Sequence, residues 1–142
     1  NIPVRFDFEC EFYRQRAGGE LSLAQTKALM CDAQRKNYGE TLGDDGLDPL
    51  FWASKLHFYI PDLSFYNFPY TFGYLFSKGL YARFAAQGPS FIPDYIKMLR
   101  ATGSAPAEVV AKETLGIDLT TPAFWHSAID LIERELEAYC GN

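Results

Sequence analysis

Apolar residues recur at helical spacing from the second residue of the chain. Val4, Phe8, Cys10–Phe12 and Phe6–Tyr13 fall on the stripe of an amphipathic helix running from Pro3 to Arg16, with proline in the first turn, where its missing N–H is no loss. Gly18-Gly19 stop this helix. Ser22 followed by Gln25, with Leu21 ahead of them, forms a capping box with a hydrophobic staple, which predicts a second helix through Leu29, Met30 and Ala33 to Tyr38, ended by Gly39. Gly18-Gly19 then become the hinge of a helical hairpin. Thr41 to Pro49 reads as an acidic turn; Asp44, Asp45 and Asp48 lack the alternating spacing and closing Glu of a calcium loop.

Beyond the turn, Phe51 to Tyr59 predicts a short helix cut off by Pro61. Phe65 to Gln87 is the longest apolar stretch, and Pro69 is tolerable there only near a helix start. Phe72, Phe76 and Leu80 run at i, i+4, i+8, while Tyr70, Tyr74 and Tyr81 share a side, with Gly73 placed to allow close approach of another segment. Three further helices are expected. One runs from Pro89 to Ala101, and one from Pro106 to Gly116 behind a Ser104 cap. The last begins at Thr121-Pro122, with Trp125, Ile129, Ile132, Leu136 and Tyr139 on its inner stripe. No alternating segment demands a sheet. The fold class is all-α, a multi-helix array.

Composition narrows the function. The 142 residues carry a net charge of −5, and the Lys and Arg residues lie among Asp and Glu, which argues against nucleic acid as a partner. Aromatic residues make up 16% of the chain, twelve of them Phe and nine Tyr, enough for a large core or for a surface that expects another domain. No run approaches the roughly 18 apolar residues of a membrane span. Three dispersed cysteines without a CxxC pair fit reduced thiols and a cytoplasmic location. A dense apolar pattern starting two residues after Asn1 reads as a truncation.

The catalytic inventory is short. His57 and His126 belong to no HExxH, so zinc has no first shell in this chain, and no nucleophile elbow, phosphate loop or dinucleotide fingerprint is present. Asp7, Glu9 and Glu11 read as a solvated or salt-bridged helix face. What stands out is one histidine followed by phenols, His57, Tyr66, Tyr70 and Tyr74. Imidazole and phenol groups donate hydrogen bonds to a carbonyl oxygen or a developing oxyanion without bringing negative charge. Core and rim packing is the competing use of the same side chains.

The stretch HFYIPDLSFYNFPYTFGYLFSKG, within Phe51 to Gly79, resembles the oligoendopeptidase F branch of the thimet-oligopeptidase-like zinc metallopeptidases. The resemblance extends upstream through IPVRFDFE and the GELS hairpin, and downstream through LGIDL and Phe124-Trp125, so it covers essentially the whole chain. It implies that residues 1–142 are the C-terminal portion of the catalytic domain of an all-helical, clam-like peptidase acting on short peptides. In such enzymes an HExxH helix and a later Glu hold zinc. This chain contains neither, so the resemblance places zinc on residues outside it and expects none bound here. It also implies that His57 faces the substrate, that Tyr66 and Tyr70 close over the bound peptide and steady the oxyanion, and that Tyr74 contacts substrate. The partners implied are short peptides and the remainder of the catalytic domain, and a cut domain also exposes apolar surface suited to self-association. The alternative is a catalytically inactive helical module that binds peptides or proteins.

Overall fold

A computed structural model describes residues 1–141. Six α-helices account for the regular structure, and there is no strand among the described residues. The chain divides into two compact units, the first ending at Thr71 and the second starting at Phe72.

The first unit is built on a helical hairpin of α1 (Ile2–Arg16) and α2 (Leu23–Tyr38). The capping box forms as its sequence predicts. The Gln25 amide donates to Ser22 Oγ at 3.2 Å, and the Ser22 amide donates to Gln25 Oε1 at 2.8 Å. Each satisfies a donor that the helix leaves free, and a cap of this kind stabilises by about 1 kcal/mol. Val4, Phe8, Leu29, Met30 and Ala33 form the core between the two helices, with Phe51, Trp52 and Phe58 packed against it.

Residues 51–59 are not the helix their apolar content predicts. They form two tight 3-10 turns, Phe51–Ser54 and Leu56–Phe58, joined by an extended Lys55. The segment lies between Pro49 and Pro61 and is too short to propagate an α-helix. Its N–H groups instead reach carbonyls three residues back, Ala53 to Leu50 at 2.8 Å and Tyr59 to Leu56 at 2.8 Å.

Asp7 ties the hairpin together outside the core, accepting from Lys36 Nζ at 3.0 Å and from Asn37 Nδ2 at 2.7 Å. Partial burial alone would raise its carboxyl pKa, but the bonds from Asn37 and Lys36 outweigh burial and hold it below the ordinary 3.8. The stabilisation this provides is therefore present above that value and lost as pH falls through the lowered one. Thermal unfolding followed between pH 5 and pH 2 is expected to show a falling midpoint, with a shallower fall in Asp7→Asn; an identical slope would remove Asp7 from the account.

Helix α3 (Phe68–Gln87) starts in the first unit and continues in the second, with Pro69 in its opening turn. The second unit adds α4 (Ile92–Ala101), preceded by a 3-10 turn over Gly88–Phe91, then α5 (Ala107–Leu115) and α6 (Pro122–Cys140). Leu80, Phe91, Met98, Ala111, Leu115 and Phe124 are central to its core. Two capping expectations change. Ser104 does not cap α5; its hydroxyl donates back to the Ala101 carbonyl at 2.7 Å, and Pro106 occupies the cap position. Thr121 is the residue before α6, but its hydroxyl donates to the Asp118 carbonyl at 3.0 Å rather than accepting from the helix.

The inner stripe of α6 is also displaced by one residue. Phe124 and Ala128 are the buried positions, while Ile129, Leu136 and Tyr139 are exposed. The cause is Gly79, against which the Phe124 ring lies directly. Close approach on α3 thus occurs at Gly79, whereas nothing lies within 4 Å of the position a Cβ would take at Gly73.

Candidate functional site

His57, Tyr66 and Tyr70 meet in the first unit. His57 sits on the Leu56–Phe58 turn, which is anchored by Phe58, whose ring meets Phe8 edge-on at 5.4 Å. With Phe58 turned inward, the histidine preceding it is left half-buried at the surface. Tyr70 occupies the first turn of α3, where its amide donates to the Asn67 carbonyl at 3.3 Å. His57 Nε2 and Tyr70 Oη are hydrogen-bonded at 3.0 Å. The Tyr66 ring stacks on the imidazole at a centroid distance of 5.6 Å and meets the Tyr70 ring edge-on at 6.3 Å. Both phenols are exposed.

Tyr66 is held by its two neighbours. The Phe65 amide donates to Glu9 Oε1 at 2.7 Å, and its ring lies 5.8 Å from that of Phe6 and 5.5 Å from that of Tyr13. Asn67 is fully buried and accepts from Arg5 Nη1 at 3.2 Å. Phe65 and Asp62 both have left-handed backbone, φ 58° and 60°, a conformation that is sparsely populated for a bulky residue and persists only where its surroundings hold it. Here the Glu9 carboxylate and two aromatic rings supply that hold. The loop carrying Tyr66 is therefore pinned to α1 on either side of the phenol.

The polar groups that do this, Arg5, Glu9 and Asn67, are the functional residues that sequence reasoning misses. Glu9 is 4% exposed, not part of a solvated face, although its neighbours behave as expected. Asp7 is bridged to Lys36, and Glu11 to Arg14, whose guanidinium holds the Glu11 carboxyl down at about 2. The available signal was positional. Glu9 follows Phe8 and lies five residues after Val4, on the edge of the buried stripe.

Tyr74 belongs to the second unit. It is exposed, and Lys78 Nζ stands 5.9 Å from its ring centroid. His126 is exposed on α6. Among the described residues no group of three or more His, Cys, Asp and Glu side chains comes together. No described helix is long and apolar enough to cross a membrane. Cys10, Cys31 and Cys140 are unpaired.

Chemically, the His57–Tyr70–Tyr66 cluster is an array of donors on aromatic faces. When His57 carries its proton on Nε2 and donates it to Tyr70 Oη, the Tyr70 O–H is left to donate outward, polarised by the bond behind it. Compared with protein-family models, with characterised proteins and with solved structures, the chain matches none.

Proposed function

We propose that this chain is the substrate-side, C-terminal portion of the catalytic domain of a zinc-dependent oligopeptidase of the oligoendopeptidase F type, cytoplasmic and acting on short peptides. The observation that carries the reading is the 3.0 Å bond from His57 Nε2 to Tyr70 Oη, with Tyr66 stacked on the same imidazole. Three of the four residues that the family resemblance assigns to the substrate, His57, Tyr66 and Tyr70, stand in one cluster, fixed from behind by a buried polar framework, while Tyr74 lies outside it. In this role Tyr70, backed by His57, donates to the oxygen of the scissile carbonyl as it gains charge, and Tyr66 covers the peptide backbone. Tyr74 is assigned a substrate contact of its own. Zinc and the general base are assigned to residues outside this chain, in the remainder of the clam-like domain.

The test is the longer protein. The gene is expected to encode an HExxH motif and a later Glu ahead of Asn1. The complete enzyme is expected to cleave a quenched fluorescent peptide of under about fifteen residues and to lose that activity on treatment with a chelator. A gene without such a motif overturns the proposal.

A second reading is supported by a different surface. Tyr81, Phe84, Ile92, Tyr95, Ile96 and Leu99 are all exposed large apolar residues of α3 and α4. A helical module that binds a peptide, a protein or its own copy without catalysis would use such a surface, and it predicts peptide binding with no turnover.

A further inference from the structure

Helix α6 runs out of the core of the second unit into solvent. Phe124 and Ala128 are its buried positions, and every residue from 133 to 140 is exposed. A helix end surrounded by water has no use for an apolar stripe, yet this one keeps it. Ile129, Leu136 and Tyr139 are exposed along it, Tyr139 to 82%. Glu133 and Glu137 follow Ile129 at successive turns and border one edge of the stripe. Neither carboxylate makes an ion pair among the described residues. Glu135, on the other edge, is held by Lys78 Nζ at 2.6 and 2.7 Å, which fixes the helix in this position.

The surface of α3 and α4 has the complementary character. A cavity of about 450 Å³ lies between these helices, walled by Leu80, Tyr81, Phe84, Phe91, Ile92 and Tyr95. Ile96 and Leu99, four and seven residues after Ile92, continue its apolar face along α4 and are exposed. Lys97 and Arg100 border this stripe on the side of Ile96, and they too make no ion pair among the described residues. Asp94, the only acidic residue of α4, lies about 150° round the helix from the stripe.

We propose that the chain pairs with a second copy of itself, the end of α6 from each copy lying antiparallel along α4 of the other, with Leu136 and Tyr139 seated over the cavity. Antiparallel packing sets the acidic edge of one helix against the basic edge of the other, whereas parallel packing would leave them on opposite sides. Both surfaces stay uncovered within their own chain, and one two-fold contact covers both. Taking roughly 150–250 Å² for a large side chain, the exposed fractions of the nine apolar residues on the two surfaces give on the order of 800 Å² per copy. That is about the size of one side of a standard interface. The inference takes its α3–α4 surface from the second reading above and commits it to one partner; it uses none of His57, Tyr66, Tyr70 or Tyr74.

The experiment is sedimentation equilibrium on the chain, which is expected to dimerise at micromolar concentration. Two charge-reversed variants follow, Lys97→Glu with Arg100→Glu on the groove, and Glu133→Lys with Glu137→Lys on the tail. Each alone is expected to raise the dimer dissociation constant by about tenfold or more, since like charges then meet at both contacts. An equimolar mixture of the two is expected to pair as tightly as the parent, because opposite charges meet again at both. Recovery in the mixture also shows that the variants are folded. A chain that stays monomeric up to roughly 100 μM overturns the proposal, while peptide binding without turnover by that monomer would keep the second reading. A dimer indifferent to both reversals, or a mixture no tighter than either variant, overturns it as well.

Discussion

If the proposed oligopeptidase reading holds, replacing Tyr70 by Phe in the longer protein is expected to lower kcat by about 10²–10³-fold, with zinc content and folding unchanged. The argument rests on donor arithmetic. The phenol has one proton, and the 3.0 Å contact with His57 Nε2 either consumes it or frees it, depending on which nitrogen of the imidazole is protonated. Only the Nε2–H form leaves the Tyr70 O–H free to donate outward, so under the proposed reading His57 is a positioning residue that fixes the phenol's direction. Removing the hydroxyl deletes a bond that strengthens as the carbonyl oxygen gains charge, and such losses appear in kcat rather than KM. His57→Gln, whose amide nitrogen reaches the place of Nε2, is expected to retain more activity than His57→Ala. Single-turnover kinetics on the variants, with metal analysis alongside, checks both. Wild-type kcat in Tyr70→Phe would leave the phenol as surface packing.

The largest structural effect is expected at Gly79. A Cβ built there would lie 2.4 Å from Phe124 Cζ and 2.7 Å from Cε2, inside a buried contact between α3 and α6. Two effects of Gly79→Ala oppose one another. Alanine in a helix interior gains up to about 1 kcal/mol over glycine, while forcing a methyl group into a filled core costs about 1–3 kcal/mol. The ring belongs to the core of the second unit, next to Phe76 and Trp125 with centroids at 5.6 and 5.2 Å, so it cannot swing away without disturbing both. Overpacking should win, lowering Tm by roughly 3–8 °C. Gly73→Ala, six residues earlier on the same helix and meeting nothing within 4 Å, is the control of opposite sign and is expected to raise Tm by roughly 2–4 °C. Calorimetry on the pair decides it, and a Gly79→Ala protein as stable as the parent would mean that the ring yields freely.

Several features governed by local chemistry were legible in the sequence, although the Ser104 and Thr121 hydroxyls turn to nearby carbonyls instead of capping α5 and α6. The capping box at Ser22 and Gln25, the hinge at Gly18-Gly19, the first-turn position of Pro69 and the stop at Gly116, which is left-handed at φ 65°, all follow from bonds or sterics within a few residues. Features decided by distant packing were not. Residues 51–59 have helical composition but give up helical geometry to place Phe51, Trp52 and Phe58 on the hairpin core. The α6 stripe moved by one residue because a glycine on another helix admits Phe124. The site divides in the same way. The spacing of His57 and its phenols was visible, and the family resemblance implied roles for them, but Glu9 carries only its place at the edge of the buried stripe as a mark of burial, and Asn67 carries none.

The bond from the Phe65 amide to Glu9 means that the direction in which Tyr66 points is written partly in main chain, with the ring at 65 adding its packing on Phe6 and Tyr13. That position can then trade one ring for another, and glycine would accept the φ of 58° while giving up the ring packing. Proline is the one residue barred on both counts: it has no amide to give and is locked to negative φ. At position 65 substitution should therefore be graded, tolerant of another ring, costlier for a small side chain, and closed to a residue without a backbone donor.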